Sequence, residues 1–223
     1  MRKLKLKLVN DFDVADWFKP GIVEAHNRNN YTLAMYVPTC FESYVAIKHE
    51  GTSPIDGDEI FIDFKSLYKI LKKYTQTPKN CYMALWNGFG WDFEERYRYL
   101  FENLNKDVHE RKPKEYNDFF ELPGREYYLM QGKIHDSRKI YNVVFGRKSF
   151  EPVNLLWPSD KKWFVATEID FEITLIGGSA QLVNAIVDSQ RFDCHRFDIN
   201  NFDPEMFLAD WIDKANGKVR NKL

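Results

Sequence analysis

A chain of 223 residues is long enough for one generous domain with a sizeable core, or for two small ones. Its 32 Lys and Arg against 33 Asp and Glu leave a formal net charge of −1, which argues against a nucleic-acid coat or a polybasic membrane binder. With 44% hydrophobic and 29% charged residues it is neither a disordered chain nor a coiled coil, and its unusual quantity is the aromatic share, 16%.

The first residues alternate, Lys3-Leu4-Lys5-Leu6-Lys7-Leu8, a period of two that fits a solvated edge strand with one apolar face. Lys5 and Lys7 interrupt the leucines, so the cationic start lacks the apolar core of a signal peptide. No run approaches the roughly 18 uninterrupted apolar residues of a membrane span. A short helical turn is expected at 14–18, ended by Pro20-Gly21. Residues 31–37 read as a strand, 41–48 as a strand or an exposed helix, and 50–58 as a loop. From 63 to 75 the spacing predicts a helix, capped by Asp63, with Leu67, Ile70, Leu71 and Tyr74 on one face and Pro78 preventing its continuation.

Residues 81–87 read as a strand broken by Gly88-Phe89-Gly90. The stretch 92–120 is dense in charge and aromatics without periodicity and reads as an exposed insertion. A strand at 125–131 and a short helix at 136–145 follow. From Trp163 to Leu175 the odd positions are almost all apolar, which predicts one long strand or two strands around a register-preserving turn near Asp170. Gly177-Gly178-Ser179 then turns into a helix at 180–188 that buries Leu182, Val183 and Ile186. A strand at 192–197 and a helix at 203–214, begun by Asp203-Pro204, complete the chain. Strands outnumber helices without alternating with them, so the expected fold is a single α+β domain over 1–223, with a largely antiparallel sheet and several packed helices.

Four blocks carry a resemblance: PTCFESYVAIKHE (38–50), TPKNCYMALWNGFG (77–90), LPGREYYLMQG (122–132) and NLLWPSDKKWFVATEIDFEITLIGGS (154–179). In order and spacing the chain over 38–190 resembles an uncharacterised family of bacterial proteins. The resemblance implies no activity and transfers no catalytic residue. The chain departs from the pattern at three places: Glu50 follows His49 where Pro is usual, Leu156 precedes Trp157 where a second Trp is usual, and Phe164 stands where Cys is often found. A phenyl ring cannot act as a nucleophile, which weakens a thiol mechanism at that position.

Three constellations are worth testing for chemistry. Glu168, Asp170 and Glu172 share one face if 163–175 stays extended, with neighbours about 6–7 Å apart. Such carboxylates could hold a hard cation or work as an acid/base pair, with Thr174 or His195 joining if the fold brings them near. The simpler explanation is the wet face of a half-buried strand. The Gly177-Gly178-Ser179 turn could hold an anion at a helix start, yet neither a dinucleotide fingerprint nor a P-loop is present, and a structural turn explains it as well. Phe89 and Trp91, on a Gly-rich loop beyond a strand, together with Trp157 and Arg125, are candidate binding residues; Trp86 reads as core.

The five histidines show no metal-ligand spacing, no serine sits in a nucleophile elbow, and Cys194 and His195 point to opposite faces of a strand. Cys40, Cys81 and Cys194 are odd in number and contain no C-x-x-C pair, which suits a reducing cytoplasm. No metal and no cofactor is implied. The expectation is therefore a cytoplasmic protein-binding module, regulatory or toxin-immunity-like, with a protein partner, no nucleic acid and no membrane; its oligomeric state is not readable. The alternative is a metal-assisted hydrolase using Glu168 and Asp170. The aromatics around 89–101 and 116–128 mark the expected interaction surface.

Overall fold

Apolar runs that find partners on both sides become sheet, and among the described residues they assemble into one sheet of nine strands. The computed structural model describes residues 6–27, 33–49, 62–86, 119–137, 153–167 and 173–200. The strands are β1 (Lys7–Leu8), β2 (Ser43–Lys48), β3 (Cys81–Trp86), β4 (Phe120–Leu122), β5 (Arg125–Gly132), β6 (Leu155–Pro158), β7 (Phe164–Thr167), β8 (Ile173–Gly178) and β9 (Cys194–Arg196). Their order is β1-β5-β3-β6-β7-β8-β2-β9, and β4 pairs with the first half of β5 on the edge that β1 shares. Every pairing is antiparallel. With α1 (Lys19–Asn27), α2 (Phe64–Leu71) and α3 (Ala180–Val187) packed on it, this is an α+β fold.

The sheet is covered on both faces. On one, Val45, Ile47, Met83, Leu156, Val165 and Ile176 meet Leu67 and Leu71 of α2 and Leu182, Val183 and Ile186 of α3. On the other, Ala46, Ala84, Leu129, Leu155, Trp157, Phe164 and Leu175 meet Phe18, Ile22 of α1 and Phe120. Each Val, Leu, Ile, Met or Phe among them contributes roughly 1.5–3 kcal/mol on burial. Double coverage is why β6 and β7 are buried at every position rather than at alternate ones.

The helix starts follow local chemistry. Asp63 accepts from the Ser66 amide at 3.0 Å, and Ser179 accepts from the Leu182 amide at 3.2 Å, as their sequence positions predict. The C-terminal end of α2 is closed by Trp163, whose indole Nε1–H donates to the Leu71 carbonyl at 3.1 Å.

Several expectations are corrected. A 3₁₀ turn does form at Phe12–Ala15, but Pro20-Gly21 does not end it: both sit in the first turn of α1, where a proline removes no intrahelical hydrogen bond. The described part of the strand expected at 31–37, residues 33–37, is not extended. Leu33–Met35 form a 3₁₀ turn, and Ala34 and Val37 are spent covering the face of the sheet beside α1. The turn between β7 and β8 does not preserve register, because Val165 pairs with Ile176 and Thr167 with Thr174. Odd residues of β7 therefore share a face with even residues of β8. Apolar side chains are welcome on both faces here, so the alternation at 163–175 did not report a single buried side. Strands β4 and β6 carry no alternation and went unread. A 3₁₀ turn forms at Ile134–Asp136, and most of the helix expected at 136–145 lies outside the described residues. The loop at 50–58, Gly88–Gly90, most of the 92–120 insertion and the helix at 203–214 lie outside the described residues. No helix among the described residues is long and apolar enough to cross a membrane.

Candidate functional site

Antiparallel pairing gathers particular residues at one end of the sheet. The last residues of β2, β3 and β7 meet the first residues of β5, β6 and β8 there. Arg125 is placed at this end by the turn before it. Leu122 pairs with Arg125 across Pro123-Gly124, and Gly124 has φ 73°, a Pro–Gly order and backbone that fit a type II turn. The Arg125 guanidinium carbon lies 5.8 Å from the Tyr36 ring centre and 5.7 Å from that of Trp86. Two aromatic rings thus fix a planar cation at the end of β5.

Beside it is a cavity of about 220 Å³. Arg125, Tyr36, His26, Asn154 and Thr167 contribute its polar lining, and Leu155 and Ala166 are among its apolar residues. None of the described lining residues is acidic. Asn154 is 4% exposed and braces the wall: its Oδ1 accepts from the Trp86 amide at 2.8 Å, and its carbonyl accepts from the Thr167 amide at 2.7 Å.

Thr167 also belongs to a buried polar chain. Its hydroxyl lies 3.1 Å from that of Thr174, which lies 2.9 Å from His49 Nε2. His49 Nδ1 is buried without a hydrogen-bond partner. Burial pushes the His49 pKa down to about 3, so the imidazole is neutral. The arrangement that leaves only a lone pair unmatched has Nε2–H donating to Thr174. Thr174 is wholly buried and His49 is 3% exposed, so this hydroxyl–imidazole pair meets no substrate and works as bracing.

The sequence candidates scatter. Arg125 lines the cavity. Trp157 is wholly buried, stacked on Phe164 at 5.7 Å and on Tyr82 at 5.6 Å; it is core and presents nothing to a partner. Of the described aromatics of the expected surface at 116–128, Phe120, Tyr127 and Tyr128 are buried and Phe119 is half-buried. His195 pairs with Ala46 on the edge strand β9, and the row continues through Leu175 to Ala166. Three strand spacings, about 14 Å, therefore separate it from β7. Its Nε2 lies 4.0 Å from the Asp193 carboxylate. Glu168, Asp170, Glu172, Phe89 and Trp91 lie outside the described residues. Residues 163–175 do not form one extended strand, because β7 and β8 on either side of these acids are antiparallel neighbours. Among the described residues no group of three or more His, Cys, Asp or Glu could hold a metal ion.

The Gly-Gly-Ser turn has a packing explanation. A Cβ on Gly177 would meet Phe41 at 2.4 Å and Tyr44 at 2.9 Å, and one on Gly178 would meet Leu182 at 2.7 Å. The α3 start already holds a carboxylate, since the Ala180 amide donates to Glu42 at 3.0 Å.

No family model, no curated protein and no solved structure matches the chain. The site rests on its own geometry. Tyr36, Asn154 and His49 were not singled out from the sequence. His49 did leave a signal, as it continues the buried series Val45, Ile47 by one more step of two.

Proposed function

We propose that this protein is a recognition module that holds a protein partner by an anchor group seated in the cavity beside Arg125. The observation that carries the reading is the size and lining of that cavity. About 220 Å³ falls below the roughly 300–1,000 Å³ of a typical small-molecule site. It matches the scale on which one or two side chains of a partner are gripped at an interface hot spot. Its walls combine apolar area with polar groups held by a rigid sheet end, the combination that fixes orientation as well as affinity. The reading places the protein in a reducing cytoplasm, with Cys40, Cys81 and Cys194 as free thiols.

The test is affinity capture from the host cell with two baits of equal melting temperature, the wild type and Leu122→Trp. Leu122 lines the cavity, and the larger ring occupies it. The reading expects a protein recovered at near-stoichiometric yield by the wild type and lost with Leu122→Trp. Equal recovery by both baits, or recovery of the bait alone under gentle conditions, overturns it.

A further inference from the structure

We infer that Asn154 orients the bound partner, its side-chain amide donating a hydrogen bond to a carbonyl oxygen of the polypeptide group seated in the cavity. The inference rests on the recognition reading above and adds the contact that makes it selective. Asn154 lies one residue before β6 and is 4% exposed. Its main-chain carbonyl accepts from the Thr167 amide at 2.7 Å, and its Oδ1 accepts from the Trp86 amide at 2.8 Å. A backbone N–H can only donate, so the atom facing Trp86 is the oxygen, and the orientation of the carboxamide is fixed. The remaining polar atom, Nδ2, has no acceptor among the described residues.

A donor left without an acceptor on so buried a side chain is uncommon, because it costs stability. Its location gives the reason. Among the described residues, the buried side-chain nitrogens and oxygens shut off from solvent without a partner are Trp17 Nε1, His49 Nδ1 and Trp157 Nε1. Asn154 Nδ2 is not one of them, so it keeps contact with open space, and the space that Asn154 lines is the cavity. A group that can only donate selects an acceptor. A carbonyl oxygen accepts and brings no donor of its own, whereas a hydroxyl brings a proton that also needs a partner. A carboxylate gives up far more hydration than a neutral carbonyl on entering the cavity. Leu155 and Ala166, beside Asn154 and 4% and 2% exposed, offer apolar contact but no donors. A polypeptide carries a carbonyl next to an apolar side chain at many positions and so uses both halves of the cavity, whose volume admits a side chain or two but not a large metabolite.

The experiment uses the full-length protein, isotope-labelled, and follows amide shifts of cavity residues together with the side-chain amide signals of Asn154. The peptide probes are N-acetyl-leucine N-methylamide and its thioamide analogue, in which sulfur, a weak acceptor, replaces each carbonyl oxygen. The small-molecule probes are 4-phenyl-2-butanone and butylbenzene, which differ by one carbonyl. The expected result is saturable shifts with the peptide, a shift of the Asn154 Nδ2 protons on binding, and at least about tenfold weaker binding of the thioamide. Asn154→Asp keeps an oxygen for the Trp86 amide and replaces the donor by a second acceptor. It should keep the melting temperature and reduce the peptide to the thioamide level, whereas a residue that only braces the wall would leave binding unchanged. The probe comparison on the wild type stands even if the variant fails to fold.

Equal binding of the peptide and its thioamide, abolished by Leu122→Trp, overturns the Asn154 contact while leaving the anchor cavity intact. Unchanged binding by a folded Asn154→Asp overturns it as well. Discrimination between the ketone and the hydrocarbon without binding of the peptide overturns the polypeptide source. No shift with any of the four probes overturns the inference, and the capture experiment then decides separately on the recognition reading.

Discussion

The two ends of the sheet are built on different principles. At one end, short connections are locked by hydrogen bonds. The Asp160 carboxylate accepts from the Thr75 hydroxyl at 2.8 and 2.9 Å and from the Gln76 amide at 2.7 Å, and the Asp160 amide donates to Thr77 at 3.2 Å. Glu42 and Ser179 close the start of α3 there, and the Tyr44 hydroxyl donates to the Pro38 carbonyl while accepting from the Phe41 amide, each at 2.9 Å. At the other end, a cation lies between rings, a cavity opens beside it, and a buried imidazole nitrogen has no partner. Polar groups that are fully matched hold a fold together. A cavity at the sheet end is where a fold can take hold of something else.

That contrast can be broken in four places. The largest effect belongs to the core between the ends: Trp157→Ala should cost about 3–5 kcal/mol in urea denaturation. A loss under about 1 kcal/mol would place Trp157 on a surface. Next, Asp160→Ala should cost about 2–3 kcal/mol, since several donors lose a charged acceptor at once, and should leave probe binding at the far cavity unchanged. A change in binding without a change in stability would reverse the roles given to the two ends.

The third effect depends on pH. Burial holds the folded pKa of His49 at about 3, below the ordinary 6.5, so the unfolded chain takes up the proton first. Stability then rises with pH between these values, and lowering the pH from 7 to 5 should remove about 2 kcal/mol. Parallel denaturations of His49→Gln should lack that component; an identical slope in the variant would mean that another group is responsible. The smallest effect is Arg125→Gln on folding, below about 1 kcal/mol, because a partly exposed cation–π contact contributes little. A thermal melt displaced as far as that of Asp160→Ala would make Arg125 a structural residue rather than a binding one.

Much of the fold was legible. The amphipathic stripe of α2, the caps at Asp63 and Ser179 and the runs that became β2, β3, β5 and β9 are local signals, and local chemistry decided them. What failed were inferences from alternation. A sheet buried on both faces erases the difference between inward and outward residues, so β6 was unread and the odd positions of 163–175 were assigned to one face when they occupy two. The site was legible at one residue. Arg125 follows a Pro–Gly turn that fixes the start of its strand. Tyr36, Trp86 and Asn154 reach it from distant parts of the chain, and no spacing in a sequence encodes a meeting of that kind. Trp157 is internal because it lies in β6, a strand buried at every position, which Pro158 ends where its missing N–H is tolerated.

The claim that recognition belongs to the cavity end is tested most directly by site-specific photocrosslinking in the host cell. One protein carries p-benzoylphenylalanine in place of Leu122 at the cavity, and another carries it in place of Lys79, exposed at the hydrogen-bonded end. The expected result is a discrete covalent adduct from position 122 and none from position 79. An adduct from position 79 alone would contradict the account.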